Sequence, residues 1–143
     1  MMIEGVIKTD LTIVPMKSGS ISHAYLKTQS DQINIQEIYF SSIQHESIRA
    51  WKCHTRMTIN LSVVSGSVKI AMIDGREDFR SYLNIDEIIL SKSPYFRLTI
   101  PPGIWYGFFG LSSPETIICN IADHVHDPQE LKRKDYSDFD YTF

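Results

Sequence analysis

The chain has 143 residues, 43% of them hydrophobic and 22% charged, with 17 acidic against 14 basic side chains and a formal net charge of −3. That length suits one domain spanning 1–143, able to bury roughly two-thirds of the surface its unfolded chain would expose. The Lys and Arg residues are scattered and offer no basic stripe for a nucleic-acid backbone, and no apolar run approaches the roughly 18 residues of a membrane-spanning helix.

The opening MMIEGVIKTD has no basic start, long apolar core or small-residue cleavage site, so no secretory leader is read there. Cys53 and Cys119 stand far apart in no CxxC pair, the usage of two free thiols in a reducing, cytoplasmic setting.

Period-2 alternation, the mark of a strand with one buried face, begins at INIQEIYF, residues 33–40. It returns in RAWKCHTRMTINLSVV, residues 49–64, which reads as one strand. The odd positions there, from Trp51 and Cys53 to Leu61 and Val63, are nearly all apolar, and the even ones, from Lys52 and His54 to Asn60 and Ser62, are polar. One face should therefore be core and the other should meet water or a ligand. Ser65-Gly66 looks like a two-residue hairpin turn into SVKIAMID, residues 67–74, which Asp74-Gly75 ends. YFRLTI, residues 95–100, runs into Pro101-Pro102-Gly103, which forces a turn, and the aromatics Trp105, Tyr106, Phe108 and Phe109 crowd the short segment after it. Ser113-Pro114 opens the connection to TIICNIAD, residues 116–123, where Cys119 reads as a small core residue. In DPQELKRKD, Asp127 can cap, Pro128 suits a first helical position and Glu130 falls three residues after the cap, which predicts a short surface helix. The polar and aromatic tail DYSDFDYTF is expected to lie across the body or a partner subunit. Many short strands and one short helix make an all-β sandwich or barrel.

Chemistry concentrates at Lys52 and His54, two apart on one strand face and so about 7 Å from each other, close enough to act on one bound ligand. An enzyme that removes a proton and builds up an oxyanion needs a base and a cation. An imidazole with a pKa near ~6.5 can be the base and the ammonium the cation. Burial of Lys52 beside Arg49, Arg56 and His54 would favour its free amine and swap the roles. Tyr106, a hydroxyl in a glycine-flanked aromatic stretch, is the candidate proton donor on the far side. Trp51 and Trp105 can stack on a base or a sugar, or pack in the core. A metal-binding strand of this kind would carry a His-x-His pair, a nearby acid and a later histidine, since a divalent ion needs three or four converging donors; here the pair is Lys52-x-His54 and the later position is Tyr106. The loop pair His124-x-His126 is incidental, so neither metal nor cofactor is expected.

RAWKCH, VVSGSVKIAMID, the Pro102-Gly103 turn with Gly107-Phe108, Leu111-Ser112 and Asp127-Pro128 come in an order and spacing that resemble the dTDP-4-dehydrorhamnose 3,5-epimerase family over roughly residues 33–130. The resemblance implies a cupin-type double-stranded β-helix, or jelly roll, usually a homodimer. It also implies an enzyme that inverts carbons beside the keto group of a nucleotide-linked deoxysugar without metal or cofactor. By that resemblance Gln36 and Arg49 contact substrate, the planar fork of Arg49 suiting a diphosphate. Lys52 stands where the family has its catalytic histidine, Asn60 where it has a lysine that helps hold the enolate, Cys119 near its acid tyrosine, and Tyr106 at a further histidine. KSGSISHAY, residues 17–25, has no counterpart of the family's Arg-Gly-Phe-Phe segment. Strand exchange between two copies would give GVIKTDLTIV a partner edge.

The expected function is that of a sugar-nucleotide epimerase or isomerase acting on a nucleotide-linked 4-keto-6-deoxysugar in cell-surface polysaccharide synthesis. Two other readings stand beside it. One is a cupin that binds a sugar nucleotide or carbohydrate without catalysis. The other is a 3,4-ketoisomerase, whose His-x-His segment is matched only at His54.

Overall fold

The computed structural model describes residues 2–29 and 31–143. Among these it places twelve strands: β1 (Ile7–Asp10), β2 (Ile13–Met16), β3 (Gly19–Ser22), β4 (Glu37–Gln44), β5 (Ile48–His54), β6 (Ile59–Ser65), β7 (Val68–Asp74), β8 (Ile85–Leu90), β9 (Phe96–Ile100), β10 (Ile104–Gly110), β11 (Glu115–Ala122) and β12 (Leu131–Arg133). They form two five-stranded antiparallel sheets, ordered β1-β9-β6-β11-β4 and β12-β5-β10-β7-β8, and a separate β2-β3 hairpin. The chain crosses between the sheets repeatedly, β4 in one, β5 in the other, β6 back again, as in the expected jelly roll. No helix among the described residues is long and apolar enough to cross a membrane.

Apolar rows from both sheets meet between them: Ile59, Leu61, Val63, Leu98 and Ile100 from the first, Ile70, Met72, Tyr106 and Phe108 from the second. A second core lies on the outer face of the second sheet, where Trp51, Ala71 and Ile73 are covered by Phe139, Tyr141 and Phe143 of the tail. The three tail rings stand 5.4, 5.5 and 5.4 Å from the Trp51 ring, so the tail lies across the chain's own body.

Three expectations are corrected. The run 49–64 is two strands in opposite sheets, because residues 55–58 leave the β conformation to carry the chain across. Ser65-Gly66 is likewise a crossing: β6 and β7 do not pair, and Gly66 has φ +82, with a Cβ there falling 2.8 Å from Thr116 Oγ1. The predicted helix is one 3₁₀ turn, Pro128–Glu130, capped by Asp127, whose carboxylate accepts from the Gln129 amide at 2.9 Å. It goes no further because Leu131 is extended and pairs with His54 of β5.

The facing of β5 is also the reverse of a simple reading. Tyr106 is the register partner of Lys52, and Trp105 that of Cys53. Tyr106 belongs to the inner core and Trp105 packs against the outer one. The polar row of β5 therefore points between the sheets, and its apolar row points outward beneath the tail.

Candidate active site

The sandwich opens along the side where β4 ends one sheet and β12 the other. There a cavity of about 240 Å³ has Glu37 and Tyr39 of β4 on one wall and Lys52 and His54 of β5 with Leu131 and Arg133 of β12 on the other. His126, in the loop before the 3₁₀ turn, stands at its rim. Period 2 explains the paired contributions, since residues two apart on a strand share a face.

His54 is 5% exposed and Glu130 3%. The imidazole Nδ1 donates to Glu130 Oε1, and its Nε2 lies 3.0 Å from the Tyr106 hydroxyl. The other Glu130 oxygen accepts from the amides of Thr55 at 3.1 Å, Arg56 at 3.1 Å and Met57 at 3.3 Å. Burial alone would raise this carboxyl, but the bonds from His54 and from the Arg56 and Met57 amides outweigh it and hold the pKa below the ordinary carboxylate value. Burial lowers the His54 pKa, the Glu130 bond opposes that, and the charge of Lys52 assists it, leaving the ring below its ordinary value. Tyr106, fully buried, is pushed far above an ordinary phenol by loss of solvent, so it stays neutral and its hydroxyl donates to Nε2. The result is a three-residue chain, Glu130 to His54 to Tyr106, with a fixed neutral tautomer.

Lys52 sits over this chain. Its Nζ is 5.2 Å from the Tyr106 ring centroid and 5.4 Å from that of Phe108. Burial, reinforced by the nearby guanidiniums of Arg49 and Arg133, lowers its pKa to about 8. Lys52 and Arg133 also border a second cavity of about 330 Å³, toward the end of β12, where Arg49, Lys134, Asp135 and Asp138 contribute charge.

Lys52, His54 and Tyr106 thus come together, although Tyr106 lies behind the imidazole and the hydroxyl on the facing wall is that of Tyr39. Arg49 stands at the second cavity, its Nη2 donating to the Ser42 carbonyl at 2.6 Å. The remaining candidates are elsewhere. Gln36 is exposed just before β4, its amide turned to Asn34 Oδ1 at 3.2 Å. Trp51 and Trp105 pack in the outer core, because alternation turns them away from the cavity that Lys52 and Tyr106 face. Asn60 and Cys119 belong to the other sheet and face away from the inner core. Asn60 is locked by a bond to the Ile121 carbonyl and one from Thr99, and burial raises the Cys119 thiol. Among the described residues no group of three His, Cys, Asp or Glu side chains gathers as metal ligands.

The pattern-based reading passed over Glu130, Tyr39, Glu37 and Arg133. Glu37 and Tyr39 carried a signal, since they share a face in the alternation of INIQEIYF. Glu130 carried none, having matched a helix cap while its partner lies 76 residues away.

Comparison with known families matches residues 5–142 to the family described as "FdtA: WxcM-like, C-terminal". A dTDP sugar isomerase from Desulfovibrio desulfuricans G20 superposes with a TM-score of 0.92 at 28% identity, covering 96% of this chain and 88% of that one. A dTDP-4-dehydrorhamnose 3,5-epimerase from Bacillus anthracis, solved with TDP and PPi bound, shares the fold with a TM-score of 0.83 at 19% identity, covering 94% of this chain and 81% of that one. Among curated proteins, the "Probable low-salt glycan biosynthesis epimerase Agl13" of Haloferax volcanii is 22% identical over 100 residues, which is 69% of this chain but only 64% of that relative's length.

Proposed function

Since this chain belongs to the WxcM-like, C-terminal (FdtA) family, which it matches over residues 5–142, we propose that it is a sugar-nucleotide isomerase or epimerase. Its substrate in this reading is a nucleotide-linked 4-keto-6-deoxysugar used in cell-surface polysaccharide synthesis, and its reaction moves a proton on a carbon beside the ketone. The observation that carries the proposal is the buried Glu130–His54–Tyr106 chain meeting Lys52 at the floor of an open cavity. A solvated strand face would have no reason to bury a carboxylate against an imidazole, or to hold a lysine pKa near 8.

Proton abstraction next to a carbonyl requires a base and a positive charge: Lys52 and His54 are the nitrogen bases at the cavity, and the guanidinium of Arg133 beside them is the cation. Tyr39, on the opposite wall, is the hydroxyl placed to exchange a proton with the far face of a ring. Arg49, with Arg133 and Lys134 around the second cavity, suits a diphosphate. The two adjoining cavities match the two parts of such a ligand, a neutral sugar and an anionic linker. We further place the protein in the cytoplasm, working without metal or cofactor, as a homodimer. Ile38 and Phe40, 54% and 67% exposed on the outer face of β4, and Val14, Met16 and Ile21 on the β2-β3 hairpin are apolar surface that a second copy would cover.

The test is incubation with dTDP-4-keto-6-deoxyglucose, and with GDP- and UDP-linked analogues, in heavy water. Deuterium should enter the ring at a carbon beside the ketone, and His54→Gln and Lys52→Met should lower the rate at least ~100-fold without loss of folding. Saturable binding with no deuterium uptake would instead identify a sugar-nucleotide-binding protein without catalysis.

A further inference from the structure

The two nitrogen bases of the cavity differ in one respect that decides their roles. Both ring nitrogens of His54 are engaged, Nδ1 with Glu130 and Nε2 with the Tyr106 hydroxyl at 3.0 Å, and these partners are only 3% and 1% exposed. For the ring to take a proton from a ligand it would have to release Tyr106, whose hydroxyl would be left unpaired in an apolar core. The Lys52 amine has no such commitment: it borders both cavities and, among the described residues, lies against the faces of two aromatic rings with no hydrogen-bond or ion-pair partner.

We infer that, in the reaction proposed above and resting on that proposal, Lys52 is the general base and the Glu130–His54–Tyr106 chain is the positioning frame beneath it. The lone pair on Lys52 Nζ takes the proton from the carbon beside the ketone. The C–H electron pair becomes a carbon–carbon double bond, and the carbonyl π pair moves onto oxygen as an enolate facing Arg133. Return of a proton to carbon restores the ketone, so no oxidant or co-reactant is consumed.

The surroundings favour the free amine. On its own strand Lys52 has Arg49 and neutral His54, on β12 Arg133, and on β10 neutral Tyr106. Across the cavity stand Tyr39, His126 and Glu37, which accepts from the His126 backbone amide at 2.8 Å, and at the second cavity stand Lys134 and the carboxylates of Asp135 and Asp138. With a pKa of about 8, about a quarter of Lys52 is free amine at pH 7.5, against about one part in a thousand for an ordinary lysine near 10.4.

The experiment is the pH dependence of deuterium uptake into dTDP-4-keto-6-deoxyglucose between about pH 5.5 and 9.5, with an NMR titration of reductively ¹³C-methylated lysines assigned through Lys52→Met. The expected results are a rate that rises through a midpoint near 8, a Lys52 signal titrating at the same midpoint, and at least ~100-fold loss in Lys52→Arg, because a guanidinium cannot give up its proton. In His54→Gln the rate should fall while the midpoint near 8 remains. A rate that declines above pH 8, or activity retained by Lys52→Arg, would show that Lys52 must be charged and would overturn the inference. So would a single rising limb below ~6.5, which belongs to an imidazole base. Uptake accompanied by an ordinary Lys52 midpoint overturns the inference alone; no uptake by the wild type overturns the reaction and the inference with it.

Discussion

Glu130→Gln is the sharpest test of the buried chain, because it keeps the shape and removes the charge. One carboxylate oxygen receives three amides, at 3.1, 3.1 and 3.3 Å, and the other receives His54 Nδ1–H. A carboxamide can keep its oxygen toward the three amides only by turning its NH₂ toward His54, which forces the imidazole to accept at Nδ1 and donate at Nε2. Hydrogen bonds to a charged acceptor contribute about 1.5–3 kcal/mol and neutral ones about 0.5–1.5. Losing that difference over three bonds, less the relief from no longer burying a charge, leaves a destabilisation of about 2 kcal/mol. At about 2.1 cal/mol/K of unfolding entropy per residue, that lowers the Tm of a chain this size by about 7 °C. The assay is calorimetry of both proteins from pH 7.5 downward. The Glu130 pKa is lower in the folded state, so its contribution is present above the unfolded carboxylate value and is lost as pH falls through the folded one. Protonation of Glu130 should therefore narrow the gap between wild type and variant only in strong acid; at higher pH the variant, lacking the charge that holds the His54 pKa up, should first lose more stability through the imidazole range. His54, also lowered on folding, binds fewer protons folded than unfolded, so the wild type gains stability as pH rises through the imidazole range and loses it on the way down. Equal Tm values at pH 7.5, or a gap that stays constant from pH 7.5 to strong acid, would refute the reasoning.

Phe143→Ala removes the ring 5.4 Å from Trp51 and 4.9 Å from Tyr141, and should cost about 2 kcal/mol in urea unfolding while shifting tryptophan emission to the red. Unchanged emission would mean that the tail does not shield Trp51 in solution. Gly110→Ala would place a methyl 2.1 Å from the Gln44 carbonyl oxygen, where β10 passes close under the end of β4. Because that neighbour is backbone, the expected loss is about 1–3 kcal/mol by urea denaturation, and an unchanged midpoint would contradict the close approach.

Alternation made much of the frame legible: β7, β9 and β11 fall within one residue of their predicted runs, while β4 begins and ends four residues after the run 33–40. It also put Lys52 and His54 on one face. It failed at 49–64, where an apolar row broken inside the run only at Thr55 hid the crossing from β5 to β6, since a change of sheet needs only a few residues and leaves the pattern nearly intact. β8 and the N-terminal strands β1–β3, short and largely exposed, carry too little pattern to register.

By itself the sequence determined the all-β class, the turn at Pro101-Pro102-Gly103 and the pairing of an amine with an imidazole, because these follow from local sterics and a two-residue period. Tertiary structure alone decided which face of β5 is inside. Hydrophobicity says that Trp51 must be covered, not what covers it, and here the cover is the chain's own C-terminal aromatics. The same holds for Glu130: a carboxylate read as a helix cap becomes the buried partner of His54 because β12 pairs with β5, a long-range contact that no local propensity encodes.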